Sequence, residues 1–498
     1  MVHRTAWFFC AALLLPAAVS GAQTTSVKIS VDWAGSTQIM HTTPTLQVVV
    51  NPLLRHGSPI HDAALAALHE LGADYVRYVP WFPYPRLAVA ELDPPTKQKT
   101  SWDFSLIDPM TLDFLKATEG HSRILNFSTI PAWMYETQKP VTVPDDPDQV
   151  DWNYTQGTTL RDPSRKELAD YYARLVSWYT QGGFTDELGV RHDSGYHFAI
   201  PYWEVFNEID FEHHQTPEEY TKNYDAIVAR LHAIDPKMKF VGLALALPAR
   251  NPAMFEYFLN HANHTPGIPL DMISYHFYAT PTHEQTAADW QYTFFDQADQ
   301  FLAATRFIES IRKRLSPETQ TTMDEIGSIL PGDPGAPNAS APQIAPVYWN
   351  VSGALYAYVF IEAAKMGIDV VGESQLVGYP SQFPSVTLVD WTTGKPNARF
   401  EVLRLIHDNV HNGDTIGETR LPDSDVDSIA LRNQSSERLL LVNKRDRAMT
   451  VTLPPEFQKG RLTTVDLSTD GTRSAPKAWN GKTMQLAPFA VSVIEPPR

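Results

Sequence analysis

Apolar runs and amphipathic stretches alternate along most of the chain. Short, largely apolar runs such as Leu46–Val50 and Asp369–Gly372 predict strands that are covered on both faces. Between such runs, apolar residues recur at helical spacing, as in His61–Leu71, which ends before Gly72. The alternation repeats about eight times, the number of βα units in a TIM barrel. The pattern therefore predicts an α/β fold, a (β/α)8 TIM barrel.

The pattern changes after about residue 413. Short strand-like runs now follow one another at regular spacing, separated by turn signals such as Asp470-Gly471 and Asn480-Gly481. This arrangement predicts a small C-terminal β-sandwich domain. A strand-like stretch near Val27 is expected to pair with it. The predicted organisation is a signal peptide (1–22), N-terminal strands (23–50), a catalytic barrel (45–412) and a β-sandwich accessory domain (413–498).

The first residues have the composition of a cleavable signal peptide. His3 and Arg4 precede an apolar stretch, Trp7–Ala18, that is too short to span a bilayer, and Ser20-Gly21-Ala22 offers small residues for cleavage. The sequence therefore predicts a secreted or periplasmic protein without membrane insertion. The only cysteine, Cys10, lies inside this segment, which excludes disulfides and cysteine ligands from the mature chain.

Charge and composition restrict the possible partners. The formal net charge is −17, and no basic stripe with interleaved aromatic residues occurs, which argues against nucleic acid. Hydrophobic residues make up 43% of the chain, enough for a large core. The expected partner is an oligo- or polysaccharide, with no cofactor and no metal at the site. The sequence does not indicate an oligomeric state.

Two glutamates carry the candidate chemistry. Glu208 ends the predicted strand Trp203–Glu208, and Glu325 lies near the end of the predicted strand Thr321–Ile326. Barrels place catalytic side chains at the C-terminal ends of different strands, and cleavage of a glycosidic bond needs two facing carboxyl groups. A third strand, Asp271–Tyr278, brings a histidine and a tyrosine to the same face. The pattern predicts a glycosidase site.

Several segments resemble clan-A glycoside hydrolases, and most of all glycoside hydrolase family 39, the β-xylosidase and α-L-iduronidase family. The segments that carry the resemblance are Gly72–Arg77, Asp103–Asp108, Ile130–Trp133, Glu204–Glu208, Asp271–Tyr278 and Gly394–Ala398. The resemblance covers roughly residues 73–410, with the sandwich in outline. It implies a retaining enzyme that hydrolyses O-glycosidic bonds in two displacements.

The resemblance also implies roles for individual residues. Glu208 would be the acid/base and Glu325 the nucleophile, while Asn207 would hydrogen-bond the 2-hydroxyl of the sugar. The remaining supporting candidates are His276, Tyr278, Arg77 and Trp133. His276 and Tyr278 would hold the two carboxylates, and Trp133 could stack on a sugar ring. Arg77 would keep Glu325 ionised, although it could equally be a structural partner of Glu204.

Departures from the family pattern leave the substrate open. Val79 stands where the family often carries a histidine, which predicts weak activity on simple aryl-β-xylosides. Asp324 also differs from the usual aliphatic neighbour of the nucleophile. The alternatives to a β-xylosidase-like exo-enzyme are an endo-glycanase, an arabinofuranosidase, a glucuronidase or a catalytically inert carbohydrate-binding barrel.

Overall fold

The computed structural model describes residues 26–154, 157–333, 344–422 and 424–497. The predicted signal peptide lies outside these ranges. Within them, no helix combines the length and the apolar composition needed to cross a membrane.

Eight parallel strands form a closed barrel, in which each strand pairs with the next one along the chain and the eighth pairs with the first. The strands are β1 (Thr43–Val49), β2 (Val76–Val79), β3 (Arg123–Leu125), β4 (Tyr202–Glu204), β5 (Lys239–Leu245), β6 (Met272–Ala279), β7 (Gln320–Ser328) and β8 (Val370–Glu373). The main helices around them are α1 (His61–Leu71), α2 (Asp108–Ala117), α3 (Lys166–Thr180), α4 (Pro217–His232), α5 (Pro252–Phe258), α6 (Ala287–Leu315), α7 (Pro346–Met366) and α8 (Ala398–Asn409). The predicted TIM barrel is confirmed.

The side chains inside the barrel are apolar at one end and polar at the other. Near the N-terminal ends of the strands, five apolar or aromatic side chains form one buried cluster: Ile124, Tyr202, Val241, Met272 and Val370. These residues pack the barrel closed on this side. Buried polar and charged side chains occupy the C-terminal ends instead, and this is the half in which TIM barrels carry their sites.

Two strand ends differ from the predictions. The predicted strand through Glu208 stops at Glu204, because Phe206 and Glu208 take left-handed backbone conformations, with φ of 65° and 40°. Two left-handed residues so close together turn the chain away from the extended course of the strand. In contrast, β7 continues to Ser328, so that Glu325 lies within the strand rather than near its end.

The C-terminal part forms two antiparallel sheets on a common apolar core, which confirms the predicted sandwich. Its strands are β9 (Thr415–Arg420), β10 (Val426–Arg432), β11 (Glu437–Asn443), β12 (Met449–Thr452), β13 (Lys459–Val465), β14 (Lys477–Asn480), β15 (Thr483–Leu486) and β16 (Val491–Glu495). The N-terminal segment adds a strand to each sheet. Val27–Lys28 pairs in parallel with β12, and Ser30–Asp32 pairs antiparallel with β9.

Candidate active site

Six of the seven candidate residues meet at the C-terminal end of the barrel: Arg77, Asn207, Glu208, His276, Tyr278 and Glu325. Strand register sets several neighbours directly: His276 on β6 lies opposite Glu325 on β7, and Gln47 on β1 lies opposite Arg77 on β2. Glu208 reaches the same place from the loop that follows β4. The barrel thus brings side chains from distant parts of the sequence into one cluster.

Glu208 has a single close side-chain partner among the hydrogen bonds of this cluster. The Nδ1 atom of His276 lies 3.0 Å from its Oε1 atom. Burial raises the pKa of Glu208, and the histidine opposes that effect without cancelling it. Its side chain is 16% exposed. A carboxyl group with a raised pKa that still reaches solvent is suited to hold and transfer a proton.

Glu325 has a different environment. Arg77 donates from Nη1 to one carboxylate oxygen at 2.5 Å, and the Tyr278 hydroxyl donates to the other at 2.7 Å. These donors stabilise the ionised form of a carboxylate. Two donors therefore hold Glu325 in a fixed orientation, as a nucleophile requires.

The two carboxylates lie close together. Oxygen atoms of Glu208 and Glu325 and a ring nitrogen of His276 are all within 4.8 Å of one another. Retaining glycosidases place their carboxyl groups about 5–5.5 Å apart, whereas inverting enzymes leave about 6.5–9.5 Å for a water molecule. The nearest oxygens of the two carboxyl groups here lie closer together than the shorter of these separations.

Arg77 is the centre of a buried hydrogen-bond network. Besides Glu325, it donates to Glu204 at 2.5 Å, to Gln47 at 2.9 Å and to Asn207 at 2.7 Å. The two roles considered for Arg77 from the sequence are thus combined, since one guanidinium contacts both Glu204 and the candidate nucleophile. Its planar, rigid fork of donors allows this.

His276 lies between three carboxylates. Its Nδ1 atom is 3.0 Å from Glu208 and 3.5 Å from Glu325, and its Nε2 atom is 3.4 Å from Asp324. Burial acts to lower the pKa of His276, but the surrounding negative charges prevail and raise it well above its ordinary value. Asp324 itself has a lowered pKa, because Arg77 and His276 outweigh the effect of its burial. The imidazole is therefore held as a cation that faces both candidate catalytic residues.

Hydrogen bonds to both the oxygen and the nitrogen of its side-chain amide orient Asn207. Its oxygen accepts from Arg77, and its nitrogen donates to Glu212 at 2.8 Å, leaving one amide hydrogen for a ligand. Glu212 also accepts from the indole nitrogen of Trp81 at 2.7 Å.

Two further residues considered from the sequence are Trp133 and Val79. Trp133 donates to the backbone carbonyl of Glu91 at 2.9 Å, and the guanidinium of Arg161 lies 4.3 Å from its ring centre. One ring face of Trp133 is therefore covered. Val79 is buried on β2 two residues after Arg77, so both side chains point to the same face of that strand.

The sequence interpretation missed several polar residues of the network. Ser374 follows β8 and lies 2.7 Å from the Tyr278 hydroxyl, while Asn126 follows β3 and donates to Glu204 at 2.6 Å. Gln47 and Glu212 were missed as well. Three of them could have been proposed from the sequence: Gln47, Asn126 and Ser374 are polar residues in or shortly after predicted barrel strands.

The cluster of Glu208, His276 and Glu325 also has the spacing of metal ligands. A divalent cation there would face the guanidinium of Arg77, which already lies 2.5 Å from Glu325. Repulsion between these cations argues against a metal at this position. The positive charges of Arg77 and His276 suit an anionic nucleophile and a polyhydroxylated ligand instead.

Comparisons with other proteins support the architecture. Residues 423–494 match the model of the D-apionate lactonase C-terminal immunoglobulin-like domain. No curated protein sequence matches the chain.

Solved structures of glycoside hydrolases are similar over almost the whole chain. One is the GH51 arabinofuranosidase from Xanthomonas axonopodis pv. citri, with a TM-score of 0.66 and 12% identity over 95% of this chain and 100% of that one. Another is an α-L-arabinofuranosidase from Thermotoga maritima, with a TM-score of 0.60 and 14% identity over 94% and 99% of the two chains. A third is a GH30 endoxylanase from Clostridium papyrosolvens C71, with a TM-score of 0.57 and 14% identity over 95% and 100%. At these identities the similarity establishes the fold.

Proposed function

We propose that this protein is a retaining glycoside hydrolase. The observation that carries the proposal is the pair Glu208 and Glu325, whose oxygens lie within 4.8 Å and whose environments differ in the required sense. Similarity in fold to arabinofuranosidases and an endoxylanase supports the same class. The finer placement in family 39 rests on the sequence resemblance alone.

In the first step, Glu325 would attack the anomeric carbon while Glu208 gives its proton to the glycosidic oxygen. The bond to the leaving group breaks, and a covalent glycosyl-enzyme forms. In the second step, Glu208 would take a proton from water, which attacks the same carbon and releases Glu325. His276 faces both carboxyl groups throughout, and its positive charge limits the repulsion between them.

The substrate is best sought among pentosides. The neighbours in fold include arabinofuranosidases and an endoxylanase, and the sequence resemblance points to β-xylosidases. Val79 offers no hydrogen bond to a sugar hydroxyl, so we expect simple aryl-β-xylosides to be poor substrates. A panel of nitrophenyl glycosides, with arabinofuranoside, xyloside, glucoside and glucuronide members, would rank these candidates. A clear preference for aryl-β-xyloside would contradict the expectation about Val79.

The decisive experiment addresses the nucleophile. We expect the Glu325→Gln variant to lose at least about a thousandfold in kcat while it stays folded, since the missing covalent step has no substitute. NMR of the wild-type reaction should show the first product with the anomeric configuration of the substrate. An inverted first product, or a variant that turns over at near wild-type rates, would reject the assignment.

A second candidate is hydrolysis of a sugar-acid lactone. It is favoured by the match of residues 423–494 to a domain of D-apionate lactonase. The same pair of carboxyl groups could activate water for attack on a lactone carbonyl. Acid release from sugar lactones, followed in a pH-stat, would detect this activity. Lactone turnover without glycoside turnover would replace the first proposal with the second.

We further propose that the protein acts outside the cytoplasm, in the periplasm or the medium. The support is the predicted signal peptide over residues 1–22. Mass spectrometry of the N-terminus after expression in a secreting host would reveal whether cleavage follows Ala22.

A further inference from the structure

A second cluster of titratable groups lies on the outside of the barrel. His56 belongs to the turn after β1, His61 is the first residue of α1, and Asp113 lies within α2. The Nε2 atoms of the two histidines lie 2.5 and 3.1 Å from the same oxygen, Oδ2 of Asp113. All three atoms are within 4.8 Å of one another. Three potential ligand atoms thus converge from three separate segments.

The second ring nitrogen of His61 is held by a carboxylate. Its Nδ1 atom lies 2.7 Å from Oδ1 of Asp62, and a carboxylate there can only accept a hydrogen bond. Nε2 of His61 therefore faces Asp113 together with Nε2 of His56. A metal ion bound by these three atoms would take the place of the two hydrogen-bond contacts.

The arrangement matches known rules for metal sites. Two imidazoles and one carboxylate suit Zn²⁺, and a carboxylate behind a ligating histidine fixes the ring and its tautomer, as Asp62 would do here. The side chain of His56 is 62% exposed, so water can complete the coordination. The side chain of His61 is only 11% exposed, which limits its rotation away from the site.

We propose that His56, His61 and Asp113 bind one Zn²⁺ ion, with Asp62 as the residue that orients His61. The ion would tie the turn after β1 to α2 and so stabilise the first two βα units. The proposal is independent of the reaction at the barrel end, because none of these residues belongs to the catalytic cluster.

Calorimetric titration with ZnCl₂ tests the proposal on full-length protein that carries no histidine tag. The titration is done in the Glu325→Gln background, which removes one ligand of the other cluster with metal-like spacing. We expect one Zn²⁺ per chain and a melting temperature that rises with Zn²⁺ concentration. His56→Gln and Asp113→Asn should each weaken binding at least about tenfold, since even outer partners of a metal site cost that much.

His69→Gln is the matched control, because His69 is an exposed histidine on the same helix. It should bind Zn²⁺ like the parent protein. His56→Gln changes an exposed side chain and should fold even if changes at His61 do not. Absence of binding in the parent, or binding that survives both His56→Gln and Asp113→Asn, would overturn the proposal and leave these contacts as ordinary hydrogen bonds.

Discussion

Glu208 and Glu325 have the same side chain and differ only in the residues around them. Glu208 is partly buried beside His276 and its pKa is raised, whereas Glu325 accepts from Arg77 and Tyr278. A carboxyl pair in two such different environments can provide an acid and a nucleophile from one side-chain chemistry. Their roles therefore follow from the partners rather than from the glutamates themselves.

The raised pKa of Glu208 predicts the alkaline side of the pH profile. Glu208 donates its proton in the first step, so kcat/KM should fall as pH rises through a pKa above that of an ordinary glutamate. The Glu208→Ala variant should lose this alkaline limb with activated aryl-glycosides, which need no proton donor. Rate measurements from about pH 4 to pH 9 check this expectation.

The same variant should affect substrates differently according to the basicity of their leaving groups. Glu208→Ala should slow glycosides with basic leaving groups far more than nitrophenyl glycosides, and azide should partly restore the latter by attacking the glycosyl-enzyme without a general base. Equal losses on both substrate types, with no effect of azide, would show that Glu208 has another role.

Tyr278→Phe tests the orientation of the candidate nucleophile. The change removes the donor that lies 2.7 Å from Glu325 but keeps the ring. A hydrogen bond to a charged group contributes about 1.5–3 kcal/mol, so we expect kcat/KM to fall about ten- to a hundredfold with little change in stability. Tyr275→Phe is the control, because Tyr275 packs against Phe255 and Phe301 on the opposite face of β6. Similar losses in both variants would contradict the role of Tyr278.

Only part of the site could be predicted from the sequence. Glu208 and Glu325 stand in recognisable segments, and Arg77 and Glu204 could be paired as a possibility. The link from Asn207 through Glu212 to Trp81 could not be predicted, because it depends on how the loop after β4 turns back toward β2. The bond from Gln47 to Arg77 depends on the register of β1 and β2. Neither loop path nor register follows from residue type alone.

At the level of elements, close packing of helices on β5 restricts the sequence at Gly242. A methyl group added there would lie 2.6 Å from Phe258 on α5 and 3.2 Å from Tyr224 on α4. We expect Gly242→Ala to destabilise the protein by about 1–3 kcal/mol, because overpacking forces neighbours out of their preferred positions. Urea unfolding measures the difference. Gly35→Ala is the control, since its nearest neighbour would be 3.8 Å away, and equal effects of both changes would contradict the packing argument.

Element boundaries show where sequence patterns fail. The helix His61–Leu71 was predicted at its observed limits, because Gly72 ends it in the left-handed conformation with φ of 61°. The end of β4 was predicted four residues too late, since nothing in the apolar pattern of Val205 and Phe206 announces a left-handed turn. A glycine in the sequence indicates a left-handed turn. A phenylalanine does not, so the turn at Phe206 is visible only in the structure.

At the scale of the molecule, the order of strands and helices was sufficient to predict the fold. In a TIM barrel each strand pairs with its neighbour in sequence, so the topology follows once the alternation is recognised. The contacts between barrel and sandwich could not be predicted. One of them is the bond from Arg445 to the backbone carbonyl of Gln291 at the start of α6, which joins residues far apart in sequence.

The N-terminal segment should stabilise the C-terminal sandwich although nearly 400 residues separate them. Ile29 is 2% exposed and packs in the sandwich core, and its amide donates to the carbonyl of Thr452 at 3.0 Å. We expect Ile29→Ala to destabilise the sandwich by about 2–5 kcal/mol, the cost of a cavity in a packed core. Limited proteolysis should then cut first within residues 413–498, while glycoside turnover at low temperature stays unchanged because the catalytic cluster is built by the barrel alone. Lys28→Ala is the control, since that side chain is exposed. A loss of stability equal to that of Lys28→Ala would show that the sandwich holds together without the N-terminal segment.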